Sequence, residues 1–190
     1  TYWVATEANM QRILPYQIQL SPSHDNFPSQ TWSLVQAQDG NMWLSSYGNG
    51  LAKFDGNKIE SLKSPFFSEA RFDDVSIQYN GQMLFNLEGA GDFTRENNYK
   101  NGILVFDGVH PPKVKLEGEI GFFFGRNNKG ELMRGTFGKG LWILPKGKEI
   151  DDEKNWFKID SSKGMMIGNV LAALQDQYDR YWMGLPRQGF

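Results

Sequence analysis

Cysteine is absent from this 190-residue sequence, which excludes disulfide bonds and thiolate metal sites. No apolar run approaches the roughly 18 residues that a membrane helix needs, so we expect no membrane contact by this segment. Lysine and arginine form no basic stripe, and the formal net charge is -2. A nucleic-acid partner is therefore not expected. Amphipathic stretches with the period of a helix are scarce, which leaves a globular chain with little helix.

Glycine is abundant instead, with 21 residues, and aromatic residues make up 14% of the chain. Gly, Asn and Asp interrupt the sequence about every 8–12 residues, a spacing typical of an all-β protein. Residues 39–56 illustrate the pattern with the letters DGNMWLSSYGNGLAKFDG. An Asp-Gly turn leads into an apolar strand that contains Trp43, and a Gly-x-Gly turn leads into a second strand. This pattern predicts a β-hairpin.

The hairpin is repeated along the chain. Residues 129–144 align without a gap to residues 39–54, so that Met133 falls on Trp43. Further copies lie at both ends of the chain, and a degenerate copy contains a long turn over residues 88–102. The residues at the anchor position of the five copies are Trp3, Trp43, Leu84, Met133 and Trp182. They lie about 40 to 50 residues apart, which is the period of a β-propeller blade.

Each period also holds four strand-sized pieces, which in the second copy are WSLVQA, MWLSSY, LAKF and KIESLK. One such sheet cannot bury both of its faces alone, whereas sheets packed side by side around an axis can. The sequence therefore predicts an all-β fold, a β-propeller built from four-stranded antiparallel blades, of which about four are visible. The blade parts are expected at residues 1–30, 31–70, 71–118, 119–168 and 169–190.

The anchor strand occurs at both ends of the chain, at Trp3 and at Trp182. A ring that closes by pairing its terminal strands needs each strand only once. We therefore predict that this segment belongs to a larger propeller of the seven-bladed type, with a compact closure of four or five blades as the alternative. The five anchors are expected to fill the space between neighbouring blades.

Four stretches share an Asp-x-x-Gly turn, a Trp strand or a Gly-Leu turn in the same order. They are QDGNMWLSSYGNGLAKFD, NKGELMRGTFGKGLWIL, YWVATEANMQRI and QDQYDRYWMGLPRQGF. The set resembles the two-component regulator propeller repeat family, and the resemblance covers the whole chain. The copy around Leu84 departs from the family pattern, because it lacks the Trp and carries the long turn.

The resemblance implies a sensor role. Propellers of that family form the extracytoplasmic input part of membrane-bound bacterial signalling proteins, whose output is a histidine kinase, a hybrid two-component regulator or a diguanylate cyclase. In several members the input is a breakdown product of a polysaccharide. The resemblance thus implies a periplasmic, non-catalytic, ligand-sensing domain of an inner-membrane protein.

In a four-stranded blade, the loops between strands 2 and 3 emerge at the same end as the loops that lead into the next blade. We call this the upper end, and a ligand site is expected there near the axis. Aromatic rings can stack on the C–H surfaces of a sugar while polar groups bind its hydroxyls, although ordinary polar turns remain the alternative for each residue. The candidate ligand-binding residues are Trp32, Tyr47, Asn49, Arg71, Asp92, Arg95, Tyr99, Phe137, Lys139, Asn169 and Arg187.

Two other classes of function stay open. Streptogramin-lyase-type propellers have similar repeats and use a His/Glu site with a metal, but His24 and His110 are expected at opposite ends of the blades and would not converge. We therefore expect no catalytic residue, no metal and no cofactor. A protein-interaction scaffold is the third class, for which Phe66 and Phe67 could supply an exposed patch. The partners expected for the sensor are a small polar ligand or oligosaccharide, the rest of the same polypeptide's propeller, and a second copy in a homodimer.

Overall fold

The structure is a computed structural model, which describes residues 2–5, 10–14, 17–20, 30–47, 50–62, 70–89, 100–165 and 168–186. Within these ranges the regular structure is β-sheet apart from two single-turn 3-10 helices, Glu153–Asn155 and Ser161–Lys163. The predicted all-β class is confirmed. No helix of the described residues is long and apolar enough to cross a membrane.

The described strands form five antiparallel sheets in chain order. The first sheet contains β1 (Tyr2–Ala5), β2 (Met10–Leu14) and β3 (Gln17–Leu20). The second blade contains β4 (Thr31–Gln36), β5 (Met42–Ser46), β6 (Leu51–Phe54) and β7 (Ile59–Ser61). The third blade contains β8 (Arg71–Tyr79), β9 (Gln82–Gly89), β10 (Gly102–Phe106) and β11 (Lys113–Lys115).

The fourth blade contains β12 (Gly121–Arg126), β13 (Leu132–Thr136), β14 (Leu141–Leu144) and β15 (Phe157–Ile159). The fifth sheet contains β16 (Ala172–Gln175) and β17 (Tyr181–Gly184). Within each sheet, consecutive strands are hydrogen-bonded neighbours, so every sheet is a simple meander. The second, third and fourth blades each have the four strands that the repeat predicts.

The first strands of successive blades pack side by side. β8 contacts both β4 and β12, and β12 also contacts β16. These first strands are therefore the innermost ones, and the blades are arranged around a common axis as in a β-propeller. The predicted propeller architecture of four-stranded antiparallel blades is confirmed.

The hydrophobic core lies between the blades. Trp43 of the second blade contacts Phe106 of the third edge-to-face, with ring centroids 4.7 Å apart. Leu84 of the third blade belongs to a cluster with Trp142 of the fourth, and Met133 of the fourth blade packs near Val170, which precedes β16. Every residue of β5, β10 and β13 is buried, because both faces of these strands are covered.

The anchor positions have two kinds of surroundings. Trp43, Leu84 and Met133 are buried between blades. Trp182 on β17 is 45% exposed, and its indole Nε1 donates to Asp176 Oδ2 at 2.9 Å. Trp3 lies on β1, and its side chain is outside the described part of the structure.

The turn before β17 is organised by the Asp176 carboxylate. It accepts hydrogen bonds from the indole of Trp182, from the guanidinium and main-chain N of Arg180, and from the main-chain N of Tyr178. These bonds, that from Trp182 first, hold the pKa of Asp176 well below its usual range. The ionised carboxylate is thus the form that the folded turn prefers.

Acidification is therefore expected to destabilise this turn. A carboxyl group whose pKa is lower in the folded state contributes stability above its unfolded pKa of about 4, and that contribution is lost as the pH falls further. The Asp176→Asn variant should show a smaller decrease of Tm than the wild type when the pH is lowered from about 5 to about 3. Thermal unfolding at a series of pH values measures this, and an identical pH dependence in the two proteins would contradict it.

Candidate ligand site

A β-bulge places Trp32 at the upper end of the second blade. The register of β4 with β5 passes from Thr31 opposite Ser46 to Ser33 opposite Ser45, so Trp32 is the extra residue. Its side chain is 58% exposed. Because β4 is an innermost strand, the bulge presents this indole close to the axis.

Tyr47 follows β5 and completes an aromatic pair with Trp32. The two ring centroids are 6.4 Å apart with an interplanar angle of 55°. The main-chain N of Tyr47 donates to the Gln30 carbonyl oxygen at 3.2 Å, which ties the end of β5 to the segment that enters β4. An open cleft of about 470 Å³ is lined by Gln30, Thr31, Trp32 and Tyr47.

Arg71 joins this aromatic pair from the neighbouring blade. It forms an isolated antiparallel bridge with Tyr47, and its guanidinium carbon lies 5.3 Å from the centroid of the Tyr47 ring. That distance is within the range of a cation–π interaction. The structure thus brings together three of the predicted ligand-binding residues, Trp32, Tyr47 and Arg71.

The fourth blade has the same arrangement. The register of β12 with β13 passes from Gly121 opposite Thr136 to Phe123 opposite Gly135, so Phe122 is the extra residue. The rings of Phe122 and Phe137 have centroids 6.0 Å apart at 54°. We call Trp32 with Tyr47, and Phe122 with Phe137, the two aromatic shelves.

The two aromatic shelves have equivalent backbone hydrogen bonds as well as equivalent pairs of rings. The main-chain N of Phe137 donates to the Ile120 carbonyl at 3.0 Å, in the same way as Tyr47 donates to Gln30. Phe137 is 56% exposed, close to the value for Trp32. One local structure, an inner-strand bulge facing an aromatic residue that follows the second strand, is therefore present twice.

Polar residues surround the fourth-blade shelf. The Asn169 side-chain oxygen accepts from the main-chain N of Gly138 at 3.0 Å and so holds the turn that follows Phe137. Lys139 in the same turn places Nζ 2.5 Å from Glu119 Oε1. Phe137, Lys139 and Asn169 were each predicted as ligand-binding residues, and they form a second group at the upper end.

A buried arginine lies beneath this group. Arg134 on β13 is 0% exposed, and it donates from Nε to Asn86 Oδ1 and from Nη2 to the Glu119 carbonyl oxygen. Burial lowers the pKa of Arg134 to about 10, and the charge of Glu119 opposes that shift. The guanidinium therefore stays charged at neutral pH.

Sequence reasoning missed three members of the fourth-blade group, namely Phe122, Glu119 and Arg134. A usable signal was present, since the gapless alignment of residues 39–54 with 129–144 extends backwards and places Trp32 on Phe122. Five predicted ligand-binding residues lie outside the described residues: Asn49, Asp92, Arg95, Tyr99 and Arg187. His24, Phe66, Phe67 and positions 90–99 of the long turn also lie outside them.

Histidine and acidic side chains form no metal-binding cluster in the described part of the chain. It holds no group of three or more His, Cys, Asp or Glu that could bind a metal ion. His110 follows β10, and its Nδ1 lies 2.7 Å from Asp107 Oδ2 in a cleft of about 320 Å³ that is separate from both aromatic shelves. Its hydrogen bond to Asp107, together with main-chain donors, holds the pKa of that carboxyl well below its usual range.

Solved structures with this fold include the extracellular domain of a putative hybrid two-component system and a lyase. The chain is similar to the extracellular domain of the putative hybrid two-component system BT3049 from B. thetaiotaomicron, with a TM-score of 0.62 and 18% identity over 96% of this chain. It is also similar to virginiamycin B lyase from Staphylococcus aureus, with a TM-score of 0.52 and 14% identity over 95% of this chain. A catalytically inactive form of that lyase with quinupristin gives a TM-score of 0.54 and 13% identity over 96% of this chain.

The chain spans 23% of the BT3049 domain, and 58% and 64% of the two lyase chains. No protein-family model matches the sequence, and no curated protein sequence matches it either. At these identities the similarities show the fold, and they agree with the propeller architecture described above. The chain thus has a β-propeller fold with two aromatic shelves at its upper end.

Proposed function

We propose that this chain is an extracytoplasmic, periplasmic ligand-sensing propeller domain of a bacterial signal-transduction protein. Its output domain would be of the histidine kinase, hybrid two-component or diguanylate cyclase type, and the propeller itself would be non-catalytic. The observation that carries the proposal is the pair of exposed aromatic shelves, built twice by the same inner-strand bulge. The similarity of the fold to the extracellular domain of a putative hybrid two-component system supports it.

The ligand that suits these shelves is a small polar molecule or an oligosaccharide. Exposed aromatic faces near the axis offer apolar area to the C–H surface of a sugar ring, while the neighbouring Arg71, Lys139 and Asn169 offer charged and amide groups. Ligand binding would favour one packing of the propeller against the rest of its polypeptide or against a second copy in a homodimer. The activity of the output domain would then depend on which of these packings is more populated.

A lyase-like enzyme is the second candidate, because the fold is also similar to virginiamycin B lyase. An enzyme of that type uses a His/Glu site with a metal, and the described residues hold no group of three or more His, Cys, Asp or Glu that could bind a metal ion. Incubation of the complete polypeptide with quinupristin and a divalent cation separates the two candidates. Turnover of quinupristin would favour the enzyme, whereas binding without turnover of any ligand would favour the sensor.

Truncation of the second-blade shelf is expected to weaken ligand binding. Large exposed aromatic side chains at the centre of a site commonly contribute more than about 1.4 kcal/mol, so Trp32→Ala and Tyr47→Ala should each reduce affinity roughly tenfold or more. Screening of a panel of neutral and charged oligosaccharides, followed by titration calorimetry with the complete polypeptide, measures the effect.

The Phe157→Ala variant provides the matched control. Phe157 is about as exposed as Trp32 and Phe137 but lies on β15, the fourth strand of its blade, away from the axis. It should bind the same ligand with wild-type affinity. Equal affinity in Trp32→Ala, Tyr47→Ala and wild type would refute the second-blade shelf as the ligand site, and a wild-type polypeptide whose kinase or cyclase output does not respond to a bound ligand would refute the sensor role.

A further inference from the structure

Three charged residues of the fourth blade depart together from the repeat. When the fourth blade is aligned on the second, Arg134 falls on Leu44, Glu119 on Ser29 and Lys139 on Asn49. A blade does not need these charges, because the second blade builds the same bulge and shelf with uncharged residues at those positions. The three charges therefore serve something specific to the fourth blade.

The buried member, Arg134, has an incomplete set of partners. Its Nη1 has no hydrogen-bond partner among the described protein atoms, and neither has Nδ2 of Asn86 beside it. Glycine at position 121 makes room for the guanidinium, since a Cβ there would lie 2.5 Å from both Arg134 Nε and Asn86 Oδ1. A charged group so deeply buried is costly unless a counter-charge reaches it.

Glu119 supplies the one carboxylate of this cluster and lies between two cations. Its carboxylate pairs with Lys139 Nζ at 2.5 Å, while its carbonyl oxygen accepts from Arg134. Lys139 is about half exposed beside the aromatic shelf, and the Glu119 side chain is only 16% exposed. The Glu119 carboxylate therefore pairs with the exposed cation, which lies in the turn that follows Phe137, while the buried cation is bonded by the carbonyl oxygen of the same residue.

The second-blade shelf also has a cation, because the Arg71 guanidinium lies over the Tyr47 ring. Each aromatic shelf is thus accompanied by one basic residue. An aromatic face next to a cation is suited to a sugar that carries an anionic group, because the ring can stack while the anion pairs with the basic residue.

We propose that the fourth-blade shelf binds a sugar bearing a carboxylate or sulfate group, with Lys139 as the specificity-determining residue. The anionic group of the ligand pairs with Lys139 and so replaces the Glu119 carboxylate. The released carboxylate then turns towards Arg134. Binding at the surface thereby supplies the buried guanidinium with its counter-charge, at the interface between the third and fourth blades. This inference rests on the proposed function, since it names the ligand class of the same site.

The test uses matched pairs of probes that differ in charge. The carboxylate arm compares oligogalacturonate with its methyl ester, and the sulfate arm compares heparin oligosaccharides with their desulfated forms. With the complete polypeptide, we expect the anionic member of one pair to bind at least about tenfold tighter than its partner in calorimetry. Raising the salt from about 20 to about 300 mM should reduce that preference, because salt screens exposed charges.

Variants test whether the preference for the anionic probe depends on Lys139 and Glu119. Lys139→Met should abolish it and Lys139→Arg should retain it, while Lys129→Met, an exposed lysine in the turn before β13, should bind as wild type does. Glu119→Gln should bind the anionic probe more tightly than wild type, because Lys139 then has no competing carboxylate.

Two outcomes would overturn the inference, and they can be told apart from failure of the sensor role. Equal binding of charged and uncharged partners that is lost in Phe137→Ala would refute the anionic class and leave the sensor role intact. Absence of binding by every probe would refute this ligand class. The sensor role itself would then be decided by the separate ligand screen and by the output of the wild-type polypeptide with a bound ligand.

Discussion

Replacement of Gly140 by alanine is expected to destabilise the fold by on the order of 3 kcal/mol. Gly140 ends the turn between β13 and β14 with φ of +79°, a conformation that disfavours side chains. A Cβ there would lie 2.1 Å from the carbonyl oxygen of Ile159, a main-chain atom of β15. Neither atom can move away without breaking the pairing of β14 with β15.

Gly138 in the same turn provides the control. Its φ of +69° is similar, but a Cβ at that position would have no atom within 4 Å. The Gly138→Ala variant should therefore lose only about 1 kcal/mol, the usual conformational penalty. Urea unfolding measures the stability lost in each variant, and the difference between the two losses is the steric contribution of the Cβ at Gly140. Equal losses in the two variants would contradict the steric argument.

Replacement of Trp142 by alanine is expected to cost about 3–5 kcal/mol, the range for truncating a large buried aromatic residue. Trp142 on β14 is fully buried, and its ring centroid lies 6.0 Å from that of Trp156. Lys158 Nζ lies 4.1 Å from the centroid of the Trp142 ring. Loss of the indole would leave a cavity where the third and fourth blades meet.

The indole Nε1 of Trp142 also donates to the Lys139 carbonyl oxygen at 3.0 Å. The Trp142→Phe variant keeps most of the apolar volume but removes this bond, so it should lose roughly 1 kcal/mol beyond the small change in packing. The exposed Trp32→Ala variant should stay within about 0.5 kcal/mol of wild type. A loss in Trp32→Ala as large as that in Trp142→Ala would show that burial between blades is not the source of stability.

The strands and turns of each blade could be predicted because the sequence carries their local signals. Residues 39–54 and 129–144 align without a gap, and in both copies a glycine of positive φ ends the turn before the third strand, Gly50 and Gly140. In both copies a hydroxyl at the end of the second strand donates to that glycine's carbonyl, from Ser46 and from Thr136. Such features are local, so periodicity and turn chemistry reveal them.

The aromatic shelves could be predicted only in part. Trp32, Tyr47 and Phe137 are aromatic residues near the expected upper end, which is why the sequence predicts them as ligand-binding residues, whereas Phe122 lies among three consecutive Phe residues. The letters around Phe122 suggest a continuous strand, and the bulge that turns its ring towards Phe137 depends on the pairing of β12 with β13. Pairing across strands carries no signal in the strand's own sequence.

The role of Arg134 could not be predicted at all from its own strand. It lies in the middle of β13, where every residue is buried, and its partners Asn86 and Glu119 come from another blade and from a loop. Space for the guanidinium depends on the absence of a side chain at Gly121. A buried charge is thus a property of the packed blades, and periodicity alone predicts an apolar residue there.

The outermost strands of the second, third and fourth blades oppose aggregation through their exposed edges. β7, β11 and β15 have three residues each, and lysines lie on or beside them, namely Lys58, Lys113, Lys115 and Lys158. A short strand edge that carries charged side chains is a poor template for the backbone of another chain. The rim of the second, third and fourth blades is thereby protected against strand addition and fibril growth, and any specific contact with another chain has to use a different surface.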